Sequence, residues 1–331
     1  MFTRLQIGLL VGGCLAVIVA LFLLHRLRPG ALSFGSAGLQ NSAEFEILQP
    51  VRPDKRQKAS RKVEHPHVPT PFPAAYFKIT VTSKASFKEP DRKQNLDAQC
   101  VITYNHEKTI DGVSVSFYSL ELRMLDQGKP VESVLVTRDK CVKSRGTIAS
   151  ESSFDDLAPD EQEKMLCAFG TNIYKVLLDA DRNEIGRERL GRPGPSIINE
   201  GIFDTTRIFH GPYPSTGETW KRSMRIPMEM GLHIDCPVTY TRGTGPGSVA
   251  LAGNLETNQL ASATEGVSIQ RVSCDISGTE TFDQKLGDYT AGNLTIRFGF
   301  QVMEKDSYLG TLEGELDLLL ERVSARRTNS N

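Results

Sequence analysis

Leu294, Ile296, Phe298, Phe300 and Val302 alternate with Thr295, Arg297, Gly299 and Gln301, which places every apolar side chain of the run on one face of a strand. After a polar, turn-like stretch at 304–310, a second run, Leu312, Gly314, Leu316, Leu318 and Leu320, repeats the period. The two predict an antiparallel hairpin. Shorter runs read the same way: Phe77, Ile79 and Val81; Cys100, Ile102 and Tyr104; Val249, Leu251 and, beyond Gly253, Leu255. Trp220, Met224, Ile226, Met228 and Met230 share one parity opposite Lys221, Ser223, Arg225 and Glu229, giving a further half-buried strand. The run 113–124 changes phase. Val113, Val115 and Phe117 hold one parity and Leu120, Leu122 and Met124 the other, so a bulge or sharp bend near Tyr118 is required to keep the apolar residues on one side.

Helical signals are few. The segment 158–169 has Pro159 in a first-turn position, acids Asp160, Glu161 and Glu163 near its start and Gly170 as a stop, with Leu157, Met165, Leu166 and Phe169 as its apolar stripe. A second helix is expected over 196–209, turning Ile197, Ile198, Phe203 and Ile208 to a core before Gly211 and Pro212 end it. One or two helices on a large curved antiparallel sheet make an α+β, β-predominant domain over 74–325.

The amino-terminal region obeys different rules. Residues 5–24 are uncharged, entered after Arg4 and left through His25, Arg26 and Arg28. Twenty residues at 1.5 Å rise span roughly 30 Å, the thickness of a bilayer's hydrocarbon core, so the run is expected to be a single-pass signal anchor. A cleaved signal peptide would have a shorter apolar core ending at small residues. A lipoprotein box at 11–14 would turn polar after Cys14, whereas ten apolar residues follow it. Basic residues flank both ends, and their balance alone slightly favours a cytoplasmic carboxyl side. A short head on an N-terminal anchor usually exports the large part, and we read the main domain as noncytoplasmic, periplasmic or extracellular.

Between anchor and domain, 29–73 is a tether. It is Gly, Ser and Ala rich at first and then carries Pro53, Pro66, Pro69, Pro71 and Pro73 with Arg52, Lys55, Arg56, Lys58, Arg61 and Lys62. Such a segment buries too little apolar area to offset its ordering entropy, and it reads as a disordered spacer. A short tail, 326–331, ends the chain.

Composition narrows the function classes. With 39 basic and 40 acidic side chains the net charge is −1, which gives no general attraction to nucleic acid. Outside Cys14, the cysteines Cys100, Cys141, Cys167, Cys236 and Cys274 include no C-x-x-C pair; they read as buried small hydrophobes with at most one or two bridges. Asp179, Asp181 and Asn183 match the opening of a calcium loop, but Glu184 and Leu190 stand where Gly and Glu are required, so the stretch reads as a strand and turn. The Gly-rich 243–248 lacks the Lys and helix of a phosphate loop and lies between strand-like runs, as a hairpin loop would. Neither G-x-S-x-G nor H-E-x-x-H occurs. His210 or His233 with Asp204 or Asp235 is the one acid–base combination worth weighing, although nothing in their spacing demands it. The basic spot Arg187, Arg189 and Arg192 reads as a solvated hairpin end. No catalytic residue, metal ligand or cofactor is assigned.

Two local patterns carry a resemblance. The segment 214–220, Pro-Ser-Thr-Gly-Glu-Thr-Trp, leads into a strand, and Gly278 to Gly287, with Phe282 and Asp283 between, leads into the closing hairpin. These resemble the P-x-x-G-x-x-W and G-x-x-x-F-D-x-x-x-G turns of a poorly characterised group of exported or membrane-anchored bacterial β-proteins. Their architecture is similar to the lipoprotein-carrier half-barrel, a curved antiparallel sheet with helices across its concave side. The resemblance implies fold, and no functional residues come with it.

Taken alone, the residues favour a non-enzymatic, membrane-tethered envelope protein acting as a structural or protein-interaction module. The alternative is a half-barrel sheltering a lipid or apolar ligand, with Trp220, Met224, Phe298 and Phe300 as cavity or core. An unrecognised hydrolase is the third reading and requires a pocket with convergent, shifted titratable groups. Expected partners are the membrane, through the N-terminal helix, and an envelope protein or lipid.

Overall fold

The structure, a computed structural model, describes residues 75–90, 93–109, 112–169, 173–179, 184–194, 196–198, 200–209, 219–227, 233–260, 267–304 and 307–324. The anchor 5–24, the tether 29–73, the tail 326–331, the turn 214–218 and residues Asp181, Asn183, His210, Met228 and Met230 lie outside the described residues. Among the described residues, no helix is long and apolar enough to cross a membrane.

The alternating runs become strands of one large, open, antiparallel sheet. In chain order they are β1 (Ala75–Lys88), β2 (Lys93–Asn95), β3 (Ala98–Thr109), β4 (Gly112–Asp126), β5 (Lys129–Thr137), β6 (Lys140–Arg145), β7 (Ile148–Ser153), β8 (Tyr174–Leu178), β9 (Glu184–Arg189), β10 (Thr219–Pro227), β11 (His233–Arg242), β12 (Ser248–Leu260), β13 (Val267–Asp283), β14 (Asp288–Glu304) and β15 (Ser307–Ser324). Across the sheet they run β10-β11-β12-β13-β14-β15-β1-β3-β4-β5-β6-β7, with β2 against β1 and the β8–β9 hairpin against the start of β4. Two α-helices, α1 (Pro159–Leu166) and α2 (Glu200–Arg207), accompany the sheet.

The closing hairpin forms antiparallel as expected, with Leu294 opposite Leu318, Ile296 opposite Leu316 and Phe300 opposite Leu312. Its turn is tighter than the polar stretch 304–310 suggests, because pairing continues to Glu304 and resumes at Ser307. Ser307 and Tyr308 are exposed, so their side chains give no strand signal although their backbone is in the ladder. β15 also pairs with β1, Ile79 opposite Leu320 and Val81 opposite Leu318, so the first and last described strands are neighbours. The opposite face of these strands is charged. Lys78 pairs with Glu321 at 3.2 Å, Lys88 with Glu313 at 2.6 Å and Arg297 with Glu315 at 2.8 Å, cross-strand contacts that belong on a solvated surface.

The phase change at Tyr118 is a bulge. Thr103 and Tyr104 are consecutive on β3, yet they face Ser119 and Phe117, so Tyr118 is one residue inserted into β4. Both apolar halves of β4 thereby serve the same core, Phe117 and Leu120 being buried together.

Helix α1 starts at Pro159 as its sequence requires, and Glu161 Oε2 accepts from the Ala158 N–H at 3.3 Å to close its first turn. Helix α2 is shorter than 196–209. Ser196 Oγ accepts from the Ile198 N–H at 3.1 Å and donates to the Cys167 carbonyl at 3.2 Å, and this local turn delays the helix, while Ile197 and Ile198 remain buried.

The Gly-rich 243–248 is the β11–β12 hairpin loop, closed by the Gly243 N–H on the Ser248 carbonyl at 2.8 Å. At the β13–β14 turn, Asp283 Oδ1 accepts from the N–H groups of Lys285 (2.8 Å) and Leu286 (3.2 Å), and Gly287 adopts φ 62°. Asp283→Ala is expected to cost about 1 kcal/mol of stability, read as a lowered thermal midpoint with the fold retained.

Candidate functional site

Two places on the buried face depart from plain apolar packing. The first lies beneath α2, whose Ile202, Phe203, Thr206 and Phe209 side face the sheet. The Phe203 ring stacks on Tyr174 of β8 at 4.5 Å, and the Arg187 guanidinium lies over the Phe203 ring at 5.2 Å from its centroid. Arg187 also binds Asp204 Oδ1 through Nη1 and Glu184 Oε1 through Nη2, each at 2.7 Å. Burial opposes the Arg187 charge, but Asp204 and Glu184 outweigh it, so the guanidinium holds its proton more firmly than usual. Arg187 is thus a structural pin, where the sequence suggested a solvated hairpin end. Phe209, past the helix, rests on β14: a β-carbon at Gly292 would fall 2.5 Å from its ring.

Around this helix the sheet contributes titratable groups. Arg207 lies 3.8 Å from Glu184, and burial pushes its guanidinium down. His106 Nδ1 stands 3.6 Å from Asp288 Oδ2 with its side chain 2% exposed, and the Tyr104 ring meets the imidazole edge-on at 5.3 Å. Burial, reinforced by Asp288, raises the Tyr104 phenol. On β13, Glu280 is 2% exposed, and among the described residues neither carboxylate oxygen has a hydrogen-bond partner. Burial raises its carboxyl well above the usual range; burial likewise raises Tyr240 and Tyr289, and Glu280 adds to both shifts. Tyr104, Glu280 and the His106 imidazole are buried, whereas Arg207 and Asp288 keep part of their side chains exposed.

The second place is a pocket beneath α1. Asp156 accepts from the Ser153 hydroxyl at 2.7 Å, and Gln162 Nε2 donates to the Phe154 carbonyl at 3.0 Å and the Leu157 carbonyl at 3.2 Å. Those bonds fasten the helix to the end of β7. Between it and the sheet remains a cavity of about 50 Å³, walled by Leu120 and Leu122 of β4, Val134 and Val136 of β5, Cys141 of β6, and Leu157, Met165 and Ile197 from above. Lys143, Glu161 and Lys164 complete the lining. Burial raises the Cys141 thiol, with Lys143 near enough to lower it and Glu161 to raise it.

The four residues singled out from sequence are all buried but not together. Trp220 and Met224 lie on the edge strand β10, Trp220 stacked on Tyr240 at 5.5 Å; Phe298 and Phe300 lie on β14 with their rings 6.2 Å apart. The pocket beneath α1 is lined by other residues. His233 and Asp235 do meet, at 3.0 Å, as an exposed pair on one face of β11 that Arg225 shares. The five cysteines Cys100, Cys141, Cys167, Cys236 and Cys274 are all buried.

No family model matches the chain, and no curated protein does. Similar solved structures include one titled lipid-protein interactions in lipovitellin, 11% identical, covering 78% of this chain and 26% of that chain at a TM-score of 0.39. Salmonella typhi OmpF in complex with daunomycin is 8% identical, covering 75% of this chain and 97% of that chain at a TM-score of 0.18. The chain spans about a quarter of the lipovitellin chain. At these scores neither assigns it a ligand.

Proposed function

We propose that the chain is a noncatalytic, membrane-tethered module of the cell envelope that takes an apolar ligand into the pocket beneath α1. The pocket itself carries this reading: aliphatic side chains of three adjacent strands face a helix across unfilled space, and filled packing is what a purely structural interior would show. Residues 5–24 supply the tether and hold the domain outside the cytosol. The Tyr118 bulge and the two helices on one face support reading the sheet as a half-barrel. A noncatalytic role is supported by the separation of groups: the buried Glu280, Tyr104 and His106 imidazole do not line the pocket, where burial raises the Cys141 thiol beside Lys143, Glu161 and Lys164.

A protein-interaction role is favoured by a different observation. Strand β7 ends the sheet with one side open, and Ile148 at its start is 75% exposed.

Native mass spectrometry of the full-length protein, purified in mild detergent, tests the ligand reading. A lipid-sized adduct is expected on the parent protein and should be lost from Val136→Trp, whose indole fills the cavity. A parent protein without adduct, or a variant that keeps it, removes the reading.

A further inference from the structure

We propose that the ligand of the α1 pocket is an anionic single-chain lipid, a fatty acid, held with its carboxylate at Lys143 and its chain directed inward beneath α1. The inference rests on the apolar-ligand reading and adds the charge. The strand registers set Lys143 beside Val134 and Leu122, while Cys141, Val136 and Leu120 form the adjacent row of the same face. The Lys143 backbone thus stands two residues along β6 from the row holding Cys141, about 7 Å away at strand spacing.

The neighbouring cations are neutralised. Lys164 lies 3.5 Å from Asp160, Arg145 2.9 Å from Glu132 and Lys140 3.1 Å from Glu151. Among the described residues Lys143 forms no ion pair, and the nearby Glu161 is already engaged by the Ala158 N–H. A half-buried cation in no ion pair among the described residues, set against aliphatic walls, matches a molecule with one carboxylate and one hydrocarbon chain. The partly open cavity of about 50 Å³ admits the end of that chain, and the methylenes nearer the carboxylate lie over Leu122 and Val134.

Photolabelling of the full-length protein in phosphatidylcholine nanodiscs tests this, using a medium-chain fatty acid with a terminal diazirine and the fatty alcohol of the same length. Peptide mapping should place the label on the row holding Val136 and Cys141, with the acid labelling roughly tenfold more than the alcohol at equal concentration. Lys143→Met should abolish that preference, and Lys143→Arg should retain it. Equal labelling by acid and alcohol in the parent protein, or a preference that survives Lys143→Met, overturns the assignment of charge while leaving the apolar pocket standing. Absence of pocket label from either probe overturns both readings.

Discussion

Phe203→Ala is expected to lower the stability of the domain by about 3–5 kcal/mol, the cost of deleting a fully buried aromatic side chain. Phe203 is 0% exposed, and its ring contacts both Tyr174 and the Arg187 guanidinium. Truncation leaves a void beneath α2 and deprives Arg187 of the ring it covers, although its carboxylate partners Asp204 and Glu184 remain. Helix α2 has eight residues, too few to persist without tertiary contacts, so its attachment and its helicity should be lost together. In a thermal melt the midpoint should fall by roughly 10 °C for a domain of this size. Phe203→Leu, which keeps apolar volume, should cost about 1.5 kcal/mol or less. If alanine and leucine behave alike and both stay within about 1 kcal/mol of the parent, the helix is not held by this ring.

The local, periodic part of this architecture was open to a reader of the sequence, and the long-range part was not. Parity alone placed the hairpin of Leu294 and Leu318 and required the insertion at Tyr118, because side-chain direction in a strand depends only on counting residues. Capping chemistry placed the start of α1, whereas Ser196 shortened α2 through a bond to Cys167, 29 residues away and invisible to periodicity. The pocket is a space left between β4, β5, β6 and α1, and no residue in it carries an unusual signal of its own. The polar cluster beneath α2 draws on β3, β13, β14 and α2, which only the folded chain assembles. One member did leave a trace. Glu280 shares its parity on β13 with Cys274 and Ile276, a charge-bearing residue on an otherwise apolar face.

That misplaced acid leads to the second large expectation. A carboxyl that stays protonated in the fold, but ionises near pH 4.3 in the unfolded chain, gives the folded state one more bound proton at every pH between the two values. Its contribution to stability is therefore greatest below the unfolded value and is lost as pH rises, at up to about 1.4 kcal/mol per pH unit, until the folded value is passed. Glu280→Gln is neutral at all pH, so the stability difference between variant and parent should widen steadily from pH 4.5 to pH 7 in favour of the variant. Glu280→Met also removes the two unsatisfied oxygens and should add about 1–3 kcal/mol at pH 7. Thermal midpoints of the three proteins across that range decide the matter. A parent–Gln difference that stays constant with pH would mean that Glu280 is ionised in the fold; destabilisation by both variants at pH 7 would mean that the carboxylate has an essential partner.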